Sequence, residues 1–263
     1  ILVAVSGGKD SLALWHILLT LGYRADALYV NLGIGAYSEE SHRKVRHYAD
    51  TVAAAHGAKL IVHVVEQEAG AGIRELATVL HRPTCSTCGT IKRYQFNRAA
   101  VEQDYDVMAT GHNLDDEAAR LLGNVLHWQE EYLDKQSPTL PASVEGFAKK
   151  VKPLCRLSER EIAAYAVVNR IDYIVEECPM AKGSKMILYK EVLNRLETES
   201  PGTKQRFYWG FLEKQTKPEP DNESMAEKDQ RTLHPCTTCG QPTTAEICTY
   251  CKMMAKAKTA TPR

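Results

Sequence analysis

Four short apolar segments interrupt the first half of the chain, and amphipathic stretches separate them. Each segment predicts a β-strand, and the four are ILVAVS, ADALYVNLGI, KLIVHVV and VMATGHN. Apolar residues at helical spacing predict helices over residues 12–21 and 41–56. Strands that alternate with helices favour an α/β fold, a doubly wound parallel sheet with right-handed crossovers.

Small and polar residues follow three of these predicted strands, at 6–11, 31–35 and 111–116. The carboxyl ends of parallel strands meet at one edge of the sheet, and ligands bind in the crevice there. The sequence therefore predicts that these three segments form the functional site.

The second half of the chain predicts further helices and a separate small module. Ser158 and Glu161 form a capping box at the start of a helical pattern that extends to Tyr173, and another helix is predicted over 185–197. A polar, charged stretch after residue 216 has the composition of a linker. The predicted units are a catalytic domain with a helical C-terminal part (1–215), a linker (216–233), a zinc-ribbon-like module (234–252) and a basic tail (253–263).

Composition excludes little. The 263 residues carry 33 basic and 33 acidic side chains, so a net charge of zero neither supports nor excludes a nucleic-acid partner. No apolar run approaches the roughly 20 residues that a membrane span needs, and no secretory signal is evident. We expect a cytoplasmic protein without membrane contact. Because Ile1 already lies in the first predicted strand, we also expect that a preceding segment exists.

The stretch SGGKDS connects the first strand to the first helix. A glycine-rich turn that opens a helix exposes backbone N–H groups and so favours an anion such as phosphate. Its spacing excludes the Walker and dinucleotide-binding loops. It matches the PP-loop signature of the ATP pyrophosphatase superfamily, although a plain helix-capping turn is the alternative. This resemblance implies that ATP phosphates and Mg²⁺ are held by Ser6, Gly7, Gly8, Lys9, Asp10 and Ser11.

A second polar segment, TGHNLDDEA, places Gly111 and His112 at a strand end. Asp115 and Asp116 come at the start of the next helix, where acidic residues are favourable for purely structural reasons. Beside a phosphate-binding loop, a carboxylate that binds Mg²⁺ is also expected. Both interpretations stay open from the residues alone.

Eight cysteines are present, and six of them form C-x-x-C pairs, which in an intracellular protein favours metal over disulfides. Four thiolates near the C-terminus predict a closed tetrahedral zinc site at Cys236, Cys239, Cys248 and Cys251. The module is either an arm that grips RNA, helped by Lys252, Lys256, Lys258 and Arg263, or a clip that only closes the chain end.

The internal pair, Cys85 and Cys88, is ambiguous. It fits half a zinc site, a redox dithiol or part of an iron–sulfur site. Cys178 is distant in sequence and lies in a polar context, whereas Cys155 is expected to be a small core residue.

Together, SGGKDS, CSTCGTIKRYQFN, TGHNLDDEA, KPLCRLSEREIAAYA, CPMA and SPGTKQRF resemble the tRNA 2-thiouridine synthetases that act on the T-loop 5-methyluridine. The resemblance covers nearly the whole chain. It implies adenylation of the uridine C2 carbonyl by ATP, release of AMP and pyrophosphate, and sulfur transfer from a [4Fe-4S] cluster. It also implies a homodimer, a zinc module before Ile1, and a ubiquitin-like thiocarboxylate carrier or sulfide as the sulfur donor.

The resemblance also assigns residues. Cys85, Cys88 and Cys178 match the three cluster ligands. Lys92 and Asp116 match residues beside the ATP phosphates and the reacting base. The residues expected around adenine and the rest of the nucleotide are Leu32, Gly33, Ile34 and Gly111.

Three alternatives remain at this stage. The same chemistry on another base would produce 2-thiocytidine or a wobble 2-thiouridine. A PP-loop amidotransferase or a lysidine-type ligase would share SGGKDS but would not need Cys85, Cys88 and Cys178. A nucleotide-binding RNA scaffold without catalysis is the alternative from another class, although the charged residues of an active site are all present.

Overall fold

The computed structural model describes residues 1–143, 146–181, 183–216 and 233–260, and a six-stranded sheet lies at its centre. In spatial order its strands are β3 (Leu60–Val64), β2 (Asp26–Asn31), β1 (Leu2–Val5), β4 (Met108–Thr110), β6 (Lys150–Val151) and β5 (Thr139–Leu140). All neighbours pair in parallel except β5, which runs antiparallel to β6. The strand order reverses between β1 and β4, which is where a doubly wound sheet opens its ligand crevice.

Helices connect the strands and continue beyond the sheet. Before β4 they are α1 (Lys9–Thr20), α2 (Gly35–Thr51), a 3₁₀ helix (Ala53–His56), α3 (Val65–Ala69), α4 (Ile73–Leu80) and α5 (Thr84–Glu102). After β4 they are α6 (Leu114–Leu126), α7 (Glu130–Leu133), α8 (Glu159–Val168), α9 (Lys185–Glu199) and α10 (Thr203–Thr216). The predicted α/β fold with a helical C-terminal part is confirmed. Among the described residues, no helix is long and apolar enough to cross a membrane.

Alternate residues of the central strand face opposite sides of the sheet. Leu2 belongs to the core that packs against α4 and α5, whereas Val3 and Val5 belong to the core beneath α1 and α2. This period of two, with apolar residues on both faces, is what a sheet covered by helices on both sides requires.

Several boundaries differ from the predicted ones. The helix after β1 begins at Lys9, three residues before its apolar pattern, because its first turn forms the polar loop itself. The helix after β2 begins at Gly35, where the Ser38 hydroxyl accepts the Ile34 amide at 2.9 Å. The capping box at Ser158 is present.

The chain end forms a hairpin followed by a helix. Strands β7 (His234–Pro235) and β8 (Pro242–Thr243) pair antiparallel, and α11 spans Thr249–Ala260. Residues that the sequence placed in a basic tail after 252 therefore continue this helix, since Met253, Met254 and Ala257 are buried against the core of α4 and α5. Residues 217–232 of the predicted linker, and Arg263, lie outside the described residues.

Candidate active site

The loop after β1 is shaped by its own serines. The Ser11 hydroxyl accepts the Ser6 amide at 3.1 Å and donates to the Gly8 carbonyl at 3.0 Å. Gly7 has φ +83°, and an added Cβ would lie 2.8 Å from the Ser41 carbonyl oxygen. Gly8 caps α1 without a side-chain acceptor, so the first amides of this helix are left for a ligand.

A cavity of about 290 Å³ opens beside this loop. Its wall combines the loop, the end of β4 and the side chains of Lys92 and Phe96 from α5. Gly111 allows the close approach, because a Cβ there would lie 2.9 Å from the Asp10 carbonyl carbon. Distant segments are thus brought together, as the sequence predicted for the ends of β1 and β4.

Five charged side chains of alternating sign connect this loop to α6, α8 and α9. Lys9 Nζ lies 3.2 Å from Asp10 and 2.6 Å from Glu159, and Lys190 Nζ lies 3.2 Å from Glu159 and 2.6 Å from Asp116. The sequence analysis missed Glu159 and Lys190. Glu159 could have been noticed because it follows the predicted cap, Ser158, and so lies in the first turn of α8. No feature of the sequence singled out Lys190.

The carboxylates of this cluster exceed its ammonium groups. Burial raises the pKa of Asp10, and the Asp116 carboxylate raises it further, although Lys9 opposes both effects. An added cation between Asp10 and Asp116 would relieve this repulsion. Oxygen ligands of this kind suit Mg²⁺ bound together with phosphates.

The neighbouring acid, Asp115, has a different environment. Its side chain is 5% exposed, pairs with Lys204 from α10 and accepts the Glu159 amide at 2.8 Å. Asp116 is 25% exposed and closes the capping box of α6 with Asn113. The structure therefore separates the two acids: Asp115 holds three helices together, whereas Asp116 faces the charged cluster.

The internal thiols gather at the first turns of α5. Cys85 Sγ donates to the Met180 carbonyl at 3.3 Å, which brings the segment of Cys178 to this helix. Burial raises the pKa of Cys88; the Lys92 ammonium opposes this effect, and the thiols of Cys178 and Cys85 add to it. Three thiols from two segments thus lie in the same region, with Lys92 one turn beyond Cys88, although their sulfurs are not all within 4.8 Å of one another as the four C-terminal thiols are. Cys155 is buried in a separate apolar cluster, as expected.

The segment after β2 borders a second cavity of about 430 Å³, which Pro179 also lines. Leu32 and Ile34 are buried, and the amide of Gly33 donates to Asn31 at 3.0 Å. Because the Ile34 amide is also bonded internally, an adenine edge at this segment would have to exchange with existing hydrogen bonds.

The four C-terminal thiols come within 4.8 Å of one another: Cys236, Cys239, Cys248 and Cys251. Cys239 and Cys248 Sγ are 3.8 Å apart, which equals the separation of about 3.8 Å expected from tetrahedral Zn–S bonds of about 2.3 Å. Although burial opposes it, backbone N–H donors lower the pKa of Cys236 to about 6. Burial raises the pKa of Cys248 and Cys251, so a metal that binds here would displace their protons. The geometry and the set of four sulfur donors fit a zinc ion.

The module that carries these thiols is docked on α5. The Tyr250 and Tyr94 rings stack with centroids 3.6 Å apart, and the Tyr250 hydroxyl donates to Glu68 at 2.5 Å. Asn97, buried in α5, donates to Gln241 at 2.6 Å. The module therefore braces the helix that carries Cys85, Cys88 and Lys92.

Comparisons with known proteins agree with this architecture. The PP-loop domain model of the ATP-binding family matches residues 1–183. The chain is 49% identical over 254 residues to the tRNA-5-methyluridine(54) 2-sulfurtransferase of Thermus thermophilus, covering 96% of this chain and 75% of the relative. It is 42% identical over 266 residues to the enzyme of the same name from Thermotoga maritima, covering 100% and 84%.

A solved structure shares the fold. It is the U34-tRNA thiolase NcsA from Methanococcus maripaludis with its [4Fe-4S] cluster, at a TM-score of 0.78 and 24% identity. The match covers 98% of this chain and 80% of that one.

Proposed function

Since the chain belongs to the PP-loop family and, within it, to the tRNA-5-methyluridine(54) 2-sulfurtransferases, we propose that it replaces the O2 of 5-methyluridine at tRNA position 54 with sulfur. The observation that carries the proposal is the position of Lys92. It lines the cavity of the phosphate loop and lies one helical turn from Cys88, so nucleotide and thiol chemistry share one site.

The first step uses the phosphate loop. The uridine O2 attacks the α-phosphate of ATP, and pyrophosphate leaves as the bond to the β-phosphate breaks. The free amides of α1 and the hydroxyls of Ser6 and Ser11 take up the charge that develops on pyrophosphate. Asp10 and Asp116 would hold Mg²⁺, which would neutralise charge on the phosphates, and Lys92 stabilises the transferring phosphate.

The second step replaces the activated oxygen. Adenylation turns a poor leaving group into AMP, so sulfur that attacks C2 expels AMP and keeps the ring intact. Cys85, Cys88 and Cys178 would hold a [4Fe-4S] cluster, which supplies an iron without a protein ligand to carry the sulfur. The three thiols fit this group because such clusters take thiolate ligands and because the segment of Cys178 is bonded to the start of α5, which carries Cys85, Cys88 and, one turn further, Lys92.

The remaining assignments belong to the same proposal. Leu32, Gly33 and Ile34 receive adenine, and Zn²⁺ occupies the four-thiol site of the C-terminal module. A thiocarboxylated ubiquitin-like carrier or sulfide supplies the sulfur, and the protein acts as a cytoplasmic homodimer.

Nucleoside mass spectrometry of bulk tRNA tests the proposal, comparing a strain that lacks this gene with its parent. We expect selective loss of 5-methyl-2-thiouridine. Loss of 2-thiocytidine or of a wobble 2-thiouridine would keep the chemistry and move the target base. An unchanged profile, in a strain whose parent makes all three thionucleosides, would refute a role in thiolation.

Two variants of the purified, anaerobic protein test the site. Cys178→Ala should lose iron, whereas Cys155→Ala, which alters a buried thiol elsewhere, should keep the parent's iron per chain. Lys92→Ala should abolish thiolation and the release of AMP while iron content and folding stay unchanged. Normal thiolation by Lys92→Ala would remove this lysine from the mechanism.

A further inference from the structure

A second cleft, of about 490 Å³, lies on the side of α5 that faces the C-terminal module. Three parts of the chain form it: α5, the segment leading into β6, and the module. Three cations line it, and its lining contains no acidic residue: Arg82, Arg93 and Lys150.

These cations are not neutralised by protein groups. Within the described part of the chain, none of the three forms an ion pair with a carboxylate. Burial lowers the pKa of Lys150, and the Arg93 guanidinium in the same lining lowers it further, so these two charges repel each other. Such an arrangement is unfavourable until an anion enters it.

The floor of the cleft is built rather than accidental. Asn97, 2% exposed, donates to the Gly146 carbonyl at 3.2 Å and to Gln241 at 2.6 Å, and accepts the Ala148 amide at 3.0 Å. One buried side chain thus fixes the three walls relative to one another. The Phe147 ring lies 5.7 Å from the Lys150 ammonium and offers an aromatic face beside the charges.

The chemistry of the lining favours nucleic acid. Arginine forks bind phosphate bidentately, and threonine hydroxyls such as that of Thr90 commonly add phosphate contacts. An aromatic face beside cations suits an unstacked base. Arg93 directly follows Lys92 along α5, so the cleft and the phosphate-loop cavity border the same stretch of one helix.

We propose, on the premise of the tRNA-thiolating function above, that this cleft binds the phosphodiester backbone of tRNA through Arg82, Arg93 and Lys150. The C-terminal module then supplies one wall of the tRNA site and does not act as an independent arm. Lys252, Lys256 and Lys258, on the exposed side of α11, lie outside this cleft.

Binding of an in vitro transcribed tRNA to Arg93→Gln, Lys150→Gln and the double variant tests the proposal. The logarithm of the tRNA-binding constant falls linearly with the logarithm of the salt concentration, and one lost phosphate contact reduces the magnitude of this slope by about 0.7 to 0.9. At 0.15 M salt this corresponds to about four- to six-fold weaker binding. The double variant should therefore bind about 15- to 30-fold more weakly, and the difference should vanish near 1 M salt. Arg46→Gln, an exposed change on α2 across the sheet, is the matched control and should bind like the parent.

Each outcome separates this proposal from the function on which it rests. Weaker tRNA binding with parent-like ATP binding and melting temperature supports the cleft. Parent-like tRNA binding by the double variant overturns the proposal, whether or not thiolation is normal. The proposal is also overturned if the double variant loses binding to poly-L-glutamate but keeps binding to tRNA, because the cleft would then fit an acidic protein. A parent protein that neither binds nor thiolates tRNA would refute the proposed function itself.

Discussion

Asp115 and Asp116 provide the sharpest test of the site, because the same substitution should lower the stability of the protein at Asp115 and its activity at Asp116. Asp115→Asn removes the charge that pairs with Lys204, whose side chain is only 7% exposed. Removing one partner of a buried ion pair costs about 3–5 kcal/mol, since the other charge is left without compensation. The same change at Asp116 removes a more exposed pair, worth about 0.2–1 kcal/mol, and one capping contact.

Urea unfolding and tRNA thiolation measure the two effects separately. Asp115→Asn should lower the urea midpoint at an unchanged slope, whereas Asp116→Asn should fold almost like the parent. Loss of an electrostatic contact to the transition state costs about 100-fold or more, so Asp116→Asn should lose that much activity. Lys204→Met should reproduce the destabilisation, and its combination with Asp115→Asn should be less than additive. A stable but inactive Asp115→Asn protein would refute this division of roles.

Three further perturbations address the loop, the charged cluster and the module. Gly111→Ala should weaken ATP binding in a calorimetric titration, because its Cβ would lie 2.9 Å from backbone atoms of Asp10; parent affinity would contradict this. Although burial opposes it, ion pairs with two lysines lower the pKa of Glu159. The ionised Glu159 therefore stabilises the folded protein at pH values above its ordinary pKa of about 4.3, and this contribution disappears as the pH falls through the lowered pKa. The difference in unfolding free energy between Glu159→Gln and the parent should shrink accordingly on acidification, and a constant difference would contradict it. Cys248→Ser should lose zinc and expose the α5 amides in hydrogen exchange, while α1 keeps its protection.

Much of the fold followed from periodicity. The strands β1 to β4 were predictable because each is a short apolar run, and α9 begins at the predicted residue. The strands β5 and β6 could not be predicted, because two residues are too few to show the alternation of apolar and polar positions that identifies a strand. The start of α1 was hidden for a different reason: its first turn consists of Lys9, Asp10 and Ser11, so no apolar residue marks it.

The site was predictable only in part. The loop at residues 6–11 could be identified from its glycines. The thiols could be identified from their spacing and from the family resemblance. Lys190 could not be identified from the sequence, because lysines on amphipathic helices are usually exposed to solvent and this one has no distinguishing neighbour in the sequence. Its importance arises from tertiary geometry, which places α9 beside α6 and brings the ammonium within 2.6 Å of Asp116.

Polar contacts with the C-terminal module fix the orientation of α5. Half of the six buried residues of this helix are polar or carry an amide: Thr87, Gln95 and Asn97. Hydrophobic burial alone therefore cannot set its rotation about its axis. Gln95 instead donates to Glu68 at 2.8 Å and to Tyr250 at 3.0 Å, and Asn97 is held by Gln241. Because Cys88 and Lys92 are carried by this helix, hydrogen bonds from a module at the far end of the chain help to set the position of this thiol and of the ammonium that lines the phosphate-loop cavity.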